Sequence, residues 1–205
     1  MRHPVRVYVQ DHSFGVTDRD VGTPFEAMDY STGLAGVMDS AALIATGVDR
    51  GYVEVTADAL HAHPGLYTGE QWNDLASWED IAEISLYVPN GHLTVEQLEL
   101  PQLDERPQLP VLSADGPGYY RLRMHASGRD RHYDKVVDQS GERFHFLAWP
   151  APPEAPLILK AASWCGYGLR LGALNTPAPV ALSPVIEDEA EAQRQAMQQR
   201  NLLGG

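Results

Sequence analysis

The sequence is poor in cysteine and in long apolar stretches. Its 205 residues include a single cysteine, Cys165, so no disulfide can form within the chain, which agrees with a reducing compartment. No apolar run approaches the ~20 residues that span a bilayer, and the first residues alternate rather than form the apolar segment of a signal peptide. We therefore expect a cytoplasmic protein that does not contact a membrane.

The short motifs of nucleophilic, metal and nucleotide chemistry are also missing. Neither Gly-x-Ser-x-Gly nor His-Glu-x-x-His, Cys-x-x-Cys or a P-loop occurs. Cys165 lies between Trp164 and Gly166, and we interpret it as a small packed residue rather than a nucleophile, because free cysteines are commonly buried. The sequence thus predicts a protein that is not an enzyme and has no cofactor.

The chain has a formal net charge of -13, and one quarter of it contains no positively charged lysine or arginine. Residues 51–105 contain no lysine or arginine. The acidic residues of this quarter are Glu54, Asp58, Glu70, Asp74, Glu79, Asp80, Glu83, Glu96, Glu99, Asp104 and Glu105. Such a field repels nucleic acid and anionic lipid and attracts basic partners. We expect these side chains to form one negative surface, with solubility alone as the other explanation.

Fifteen prolines and eighteen glycines divide the chain into short pieces, which favours strands and turns. Residues 118–126 and 142–149 alternate between apolar and polar side chains and predict an antiparallel hairpin. The residues between them, 127–135, are too polar to bury, so we expect a mobile charged loop. Residues 5–10 and 157–160 are further predicted strands. Asn90-Gly91 predicts a two-residue hairpin turn between residues 82–89 and 92–100.

Two segments have helical features. Leu34, Val37 and Met38 follow helical spacing, which predicts a short helix or loop over a sheet edge within residues 28–46. Residues 187–203 place acidic residues before arginines, the order that a helix dipole prefers. The predicted fold is all-β, mainly an antiparallel β-sandwich, with a short helical insert and a C-terminal helix. We expect one domain over residues 1–184 and a helical tail over residues 185–205.

The nearest approach to a metal site is the pair His61 and His63, with Asp58 just before it. On a strand both rings would point the same way, and His92 or His145 could supply a third ligand. This leaves open a small β-sandwich metal- or carbohydrate-binding protein, or an enzyme, that uses the pair. Because Pro64 and Gly65 end the segment, the leading expectation is that no metal binds.

Two arginines in the predicted hairpin raise the question of nucleic-acid binding. Arg121 and Arg123 share a strand face with Tyr119 and His125, an arrangement that is similar to a base-stacking platform. The acidic residues of the following loop oppose that interpretation. We expect instead that the arginines pair with carboxylates on a neighbouring strand and that the protein does not bind nucleic acid.

The sharpest candidate site is an aromatic and acidic run that ends at position 80. Tryptophan anchors interfaces, and neighbouring carboxylates steer a basic partner towards them. The candidate partner-binding residues are Glu70, Trp72, Asp74, Trp78, Glu79 and Asp80. The alternative is that both tryptophans close the open end of the sandwich.

Three stretches together resemble the competence protein J type of nuclease inhibitor. They are residues 8–14, the acidic middle, and the pairing of residues 118–123 with residues 144–151. Residues 121–130 are also similar to a stretch found in uncharacterised bacterial proteins. The resemblance covers residues 5–160 and excludes the tail after Pro184. It implies an acidic, non-catalytic β-protein that binds and blocks a nuclease or toxin, and it assigns no inhibitory residue.

These observations favour a cytoplasmic inhibitor or immunity protein whose acidic face occupies the basic groove of a nuclease or toxin. The metal- or sugar-binding alternative remains, as does a structural subunit that assembles through the C-terminal helix.

Overall fold

The computed structural model describes residues 3–21, 28–65, 75–98 and 108–175. Residues Met1–Asn175 form one compact unit. The strands are β1 (Val5–Val9), β2 (Ser13–Asp18), β3 (Ala35–Val37), β4 (Ala41–Ala45), β5 (Arg50–Ala59), β6 (Asp80–Val88), β7 (Leu93–Glu96), β8 (Gly118–Ser127), β9 (Val136–Pro150) and β10 (Leu157–Ala161). A helix, α1 (Trp164–Asn175), follows β10. The predicted tail at residues 185–205 lies outside the described residues, and the boundary at 184 stays a prediction.

The strands form two sheets, which confirms the predicted mainly antiparallel β-fold. One sheet has six strands in the order β1-β5-β9-β8-β6-β10, and the other has four in the order β3-β4-β2-β7. Of the named pairs, β5 and β9 are parallel and the others are antiparallel. The strands predicted at residues 5–10 and 157–160 correspond to β1 and β10.

The core lies between the two sheets because each strand turns alternate apolar side chains inward. Val55 and Leu122 enter it from the six-stranded sheet, and Val16 enters it from the four-stranded sheet. Phe14 of β2 meets Phe144 and Phe146 of β9, with ring centroids 5.2 Å and 6.1 Å apart. These inter-sheet contacts make the architecture a sandwich.

The predicted hairpin of residues 118–126 and 142–149 is confirmed by β8 and β9, where Met124 is paired with Phe146. The expectation that its connection is exposed holds for residues 130–135 and is wrong for Arg129, which is fully buried. A buried guanidinium is stable when carboxylate and carbonyl acceptors surround it, and the local sequence does not show those acceptors.

The predicted hairpin at Asn90-Gly91 is wrong. Before the turn, β6 belongs to the six-stranded sheet, and after it β7 belongs to the four-stranded sheet. The Asp18 carboxylate accepts the backbone N–H groups of Asn90 and His92 at 2.6 Å and 2.8 Å. Gly91 has a φ of 65°, which glycine adopts readily. The turn therefore carries the chain from one sheet to the other.

The helical insert predicted within residues 28–46 is also wrong, because this segment contains the antiparallel strands β3 and β4. β4 also pairs with β2 on its other side. Hydrogen bonds from two neighbouring strands outweigh a short helical spacing, since β structure depends strongly on tertiary context.

α1 was not expected, because its sequence contains Gly166, Gly168 and Gly172 and glycine disfavours helices. The helix predicted at residues 187–203 lies outside the described residues, as does the assembly role that depends on it. Among the described helices, none is long and apolar enough to cross a membrane.

Candidate protein-binding surface

Arg129 joins both sheets to the start of α1. Its Nη2 lies 2.6 Å from the Asp80 carboxylate of β6 and donates to the Ser163 hydroxyl at 3.0 Å. Its Nη1 donates to the carbonyl oxygens of Gly33 at 3.0 Å and Ala45 at 3.2 Å. Since the guanidinium is enclosed, these bonds hold the corner of the sandwich from which α1 begins.

Asp80 completes this buried network. Its carboxylate accepts the N–H groups of Ala162 at 2.9 Å and Ser163 at 3.2 Å, and also the Ser163 hydroxyl. Burial alone would raise the pKa of Asp80, but Arg129 and the Ser163 hydrogen bonds outweigh it, so the pKa is lowered. Asp80 is 1% exposed. Its charged side chain therefore lies inside the protein, where it holds Arg129 and the chain just before α1.

The first turn of α1 is capped by two side chains. The Ser163 hydroxyl accepts the N–H of Gly166 at 3.0 Å. The Asp130 carboxylate accepts the N–H groups of Trp164 at 2.8 Å and Cys165 at 2.9 Å. These bonds satisfy donors that have no partner within a helix, and the acid suits the helix dipole. The orientation of the helix is consequently fixed at its first turn.

This orientation turns Cys165 inward. Its thiol is buried, with Sγ 3.8 Å from the carbonyl oxygen of Thr46, and burial raises the pKa of the thiol. A raised pKa keeps a thiol protonated and weakly nucleophilic. The interpretation of Cys165 as a packed residue is confirmed.

Trp164, by contrast, is 78% exposed, and its ring makes an edge contact with the half-exposed ring of Tyr167 at 6.0 Å. In β10, just before the helix, Leu157, Ile158 and Leu159 are exposed. We name these five side chains the β10–α1 surface. Exposed aromatic rings that touch each other, as those of Trp164 and Tyr167 do, are typical of a protein-binding site.

Part of the predicted partner-binding run lies beside this surface. Lys160 of β10 donates through Nζ to the carbonyl oxygen of Trp78 at 2.5 Å, and the Ala162 N–H donates to the carbonyl oxygen of Glu79 at 3.0 Å. The Glu79 carboxylate accepts the N–H of Gly128 at 2.8 Å. Glu70, Trp72 and Asp74 lie outside the described residues.

The Trp78 ring packs on the outer face of the six-stranded sheet. Its centroid is 5.4 Å from that of His125 and 6.2 Å from that of His145, and the Arg143 guanidinium lies over the ring at 5.4 Å. Burial is the main cause that lowers the pKa of His125, to about 4. Trp78 thus covers a neutral histidine and remains partly buried beside β10.

The expectation of one negative surface from residues 51–105 is wrong for the described acids. Asp80 and Glu83 are buried against arginines. Glu54 in β5 and Glu96 in β7 are exposed on different sheets. The described acidic residues of positions 51–105 therefore do not form one negative face.

The described part of the exterior is nevertheless acidic. Among the described residues, fourteen carboxylates and eight lysines or arginines are not buried, a formal surplus of six negative charges. The interior takes up nearly equal charge of both signs, since Asp18, Asp80, Glu83 and Glu142 are buried together with Arg121, Arg123 and Arg129. The negative charge of the described exterior therefore comes from the composition and not from burial.

The predicted pairing of Arg121 and Arg123 with a neighbouring strand is confirmed. Glu83 of β6 accepts from Arg121 Nε at 3.2 Å and from Arg123 Nε at 2.6 Å, and all three side chains are buried. Arg123 also lies 5.4 Å from the centre of the Trp149 ring. Guanidiniums held in this way do not present a face to nucleic acid.

The two histidines of the metal alternative have separate partners. His61 Nδ1 lies 2.6 Å from the Asp115 carboxylate, and the His63 ring packs against Trp149 at 5.0 Å. In the described ranges, no three histidine, cysteine or acidic side chains are grouped so that they could hold a metal ion. His145 instead lies 2.8 Å through Nδ1 from the Thr56 hydroxyl.

A cleft of about 390 Å³ is lined by Cys165 and Leu169 of α1. His12 and Tyr133 also line it. Asp11, His12 and Asp134 have φ angles of 49°, 58° and 57°, in the left-handed region that non-glycine residues seldom adopt. His12 Nε2 lies 3.4 Å from Asp134. No pattern in the sequence indicates this cleft.

No family model and no curated protein sequence matches the chain. Similar solved structures include ComJ from Bacillus subtilis, described as an inhibitor of the DNA degrading activity of NucA. ComJ is 13% identical with a TM-score of 0.45, and the match covers 73% of this chain and 96% of that chain. A second, the crocagin biosynthetic gene J product, is 15% identical with a TM-score of 0.43, covering 73% of this chain and 97% of that chain. The competence protein J type that the sequence resembles is therefore also found among similar solved structures.

Proposed function

We propose that the protein is a non-catalytic binding protein that inhibits a nuclease or toxin by occupying a basic groove of that partner. The observation that carries the proposal is the β10–α1 surface. Trp164 and Tyr167 are the residue types that dominate binding energy at interfaces. The carboxylate surplus of the exterior would draw a cationic partner towards them.

The proposed contact area extends from α1 towards the acidic and aromatic run. Trp78 and Glu79 belong to it through their positions beside β10. Glu70, Trp72 and Asp74 precede them in the chain and complete the proposed area. Asp80 contributes by holding Arg129 and the backbone at Ser163, from which α1 and Trp164 follow.

The chemistry of the interior supports binding rather than catalysis. Glu142, whose pKa is raised, accepts backbone N–H groups inside the protein, and His125, whose pKa is lowered, is covered by Trp78. The Cys165 thiol stays protonated. These groups hold strands and turns together, and the one cysteine suits the cytoplasmic compartment in which we place the protein.

Titration into a DNA-degradation assay tests this function. We would use purified basic nucleases, including any encoded next to the gene, in about 50 mM NaCl, where charge attraction is weakly screened. The initial rate should fall in proportion to added protein and reach its minimum near one equivalent. Trp164→Ala should shift the titration to at least about tenfold higher concentration, as expected for an interface anchor.

Leu98→Ala is the matched control, because Leu98 is an exposed apolar residue that follows β7 of the other sheet. It should inhibit as the wild type does. If the wild type leaves every basic nuclease and toxin unaffected at a large molar excess, the inhibitor proposal fails.

A further inference from the structure

β10 is the outermost described strand of the six-stranded sheet, and β6 is its neighbour on one side. Its first three residues, Leu157, Ile158 and Leu159, are 46%, 43% and 37% exposed. An edge strand offers a row of backbone N–H and C=O groups to another strand, and consecutive exposed apolar residues make it a pairing site.

Proteins protect such an edge with charged side chains, prolines, β-bulges or a short strand. The only charge within β10 is Lys160, and its Nζ donates to the carbonyl oxygens of Leu75 at 3.0 Å and Trp78 at 2.5 Å. The ammonium group is therefore held by the segment before β6. A register shift between Ile158 and Lys160 limits the regular part of the edge to its first residues.

The alternation within β10 defines what could cover it. Leu157 pairs with Glu83 and Ile158 with Ala82, so these two side chains point to opposite faces, and the register shift interrupts the alternation at Leu159. A strand added at this edge would satisfy the backbone groups and shield apolar side chains on both faces. An extended segment with alternating apolar residues fits this requirement, whereas a helix leaves the backbone groups unpaired.

The carboxylates at the two ends of β10 favour a partner segment with basic residues. Glu154 is exposed shortly before β10, and Glu79 and Asp130 lie near the other end, where the chain enters α1. A segment with lysine or arginine at its ends matches these carboxylates. A second copy of this chain would bring the same carboxylates to this edge, which disfavours self-pairing.

We propose that β10 receives an extended, apolar segment with basic ends from the protein partner, as a seventh strand of the sheet. The inference rests on the proposed function and specifies how the partner is held. Main-chain hydrogen bonds to β10 would supply affinity, and Leu157, Ile158 and Leu159 would supply selectivity for apolar residues.

The test uses a fluorescein-labelled peptide of alternating valine and threonine with a lysine at each end. Fluorescence anisotropy measures binding, and amide hydrogen exchange of the protein locates it. Exchange should slow at residues 157–161. A peptide with N-methyl groups on alternate residues cannot donate along one edge and should bind at least about tenfold more weakly, since pairing needs those donors. This comparison leaves the protein unchanged.

Protein variants supply a second measurement. Ile158→Pro removes a backbone donor and should weaken binding about tenfold or more, whereas Ile158→Ala keeps the backbone and should cost less than about threefold. Circular dichroism checks that both variants are folded. Equal binding of the two peptides, or slowed exchange only outside residues 157–161, would overturn the proposal. So would a dimer, detected by light scattering, in which β10 is protected without peptide.

The outcomes separate this inference from the proposed function. If a nuclease is inhibited while amides 157–161 in the complex exchange as fast as in the free protein, strand addition is wrong and inhibition stands. If the peptide protects β10 and no nuclease or toxin is inhibited, the edge site stands and the inhibitor function is wrong.

Discussion

At the scale of single residues, Glu142 shows how a buried acid holds a turn. Its carboxylate accepts the N–H groups of Gly47 at 3.1 Å and Val48 at 2.7 Å, and the side chain is fully buried. Burial raises the pKa of Glu142 from 4.5 to about 7, although both hydrogen bonds lower it. The acid joins β9 to the segment between β4 and β5, next to the cleft.

The raised pKa makes stability depend on pH. Between pH 4.5 and 7 the folded state binds a proton at Glu142 that the unfolded state has released. The free energy of unfolding contributed by this group therefore falls as pH rises through that interval, by about 3 kcal/mol in total. We expect the stability difference between wild type and Glu142→Gln to fall by that order from about pH 5 to about pH 8, measured by urea unfolding.

The comparison with Glu142→Gln is needed because His125 acts in the opposite direction. Its pKa is lowered from 6.5 to about 4, mainly by burial, so the unfolded state binds the proton first. Its contribution to stability rises with pH between those values. It is common to both proteins and cancels in their difference. A difference that does not change with pH would contradict the assignment of a raised pKa to Glu142.

At the scale of elements, two of the three glycines of α1, Gly166 and Gly168, lie in very different surroundings. A Cβ at Gly166 would lie 2.7 Å from Arg129 Nη2 and 3.1 Å from the carbonyl oxygen of Gly33. Arg129 cannot move aside without losing Asp80. A Cβ at Gly168 would meet no atom within 4 Å. Gly166 is thus required for packing, and Gly168 is a site where glycine only weakens the helix.

We therefore predict opposite effects of two alanine substitutions within one helix. Gly166→Ala should destabilise the protein by about 1 to 3 kcal/mol, the usual cost of overpacking. Gly168→Ala should stabilise it by about 0.5 to 1 kcal/mol, because alanine loses less backbone freedom in a helix. Thermal and urea unfolding measure both. Equal effects of the same sign would show that α1 is not packed through Gly166 as described.

The sequence predicted well those elements that depend only on the pattern of their own residues. Alternation in residues 118–126 and 142–149 places one strand face in the core, and this determines β8 and β9 wherever they lie. The sheet to which a strand belongs depends on residues that are distant in the sequence. The Asn90-Gly91 turn is a hairpin signal in isolation, but Asp18, far away in sequence, holds it as a crossing between sheets.

The candidate site was predictable to a similar extent. Trp78 and Glu79 were identified from composition, and they lie beside β10. The burial of Asp80 was not foreseen, because its partner Arg129 occurs in a segment whose polarity favours an exposed loop. Trp164 was noted only as a neighbour of Cys165, and its exposure depends on the capping of α1 by Ser163 and Asp130.

At the scale of the whole molecule, charge and apolar contact have different consequences for association. The described exterior has a surplus of six negative charges, spread over both sheets. Such a field acts before contact and influences how fast a basic partner arrives. Trp164 acts only once the partner is in place. The two contributions can therefore be separated in the kinetics of binding.

For a nuclease that the inhibition assay identifies, we predict an association rate that falls about tenfold or more between about 0.1 M and 1 M NaCl. Over this range the Debye length shrinks from about 10 Å to about 3 Å, which removes long-range attraction.

Trp164→Ala should raise the dissociation rate by about tenfold or more and change the association rate by less than about threefold. Surface plasmon resonance measures both rates, with Leu98→Ala as the variant that should change neither. An association rate independent of salt would show that the negative exterior has no part in capturing the partner, and the binding would then rest on the β10–α1 surface alone.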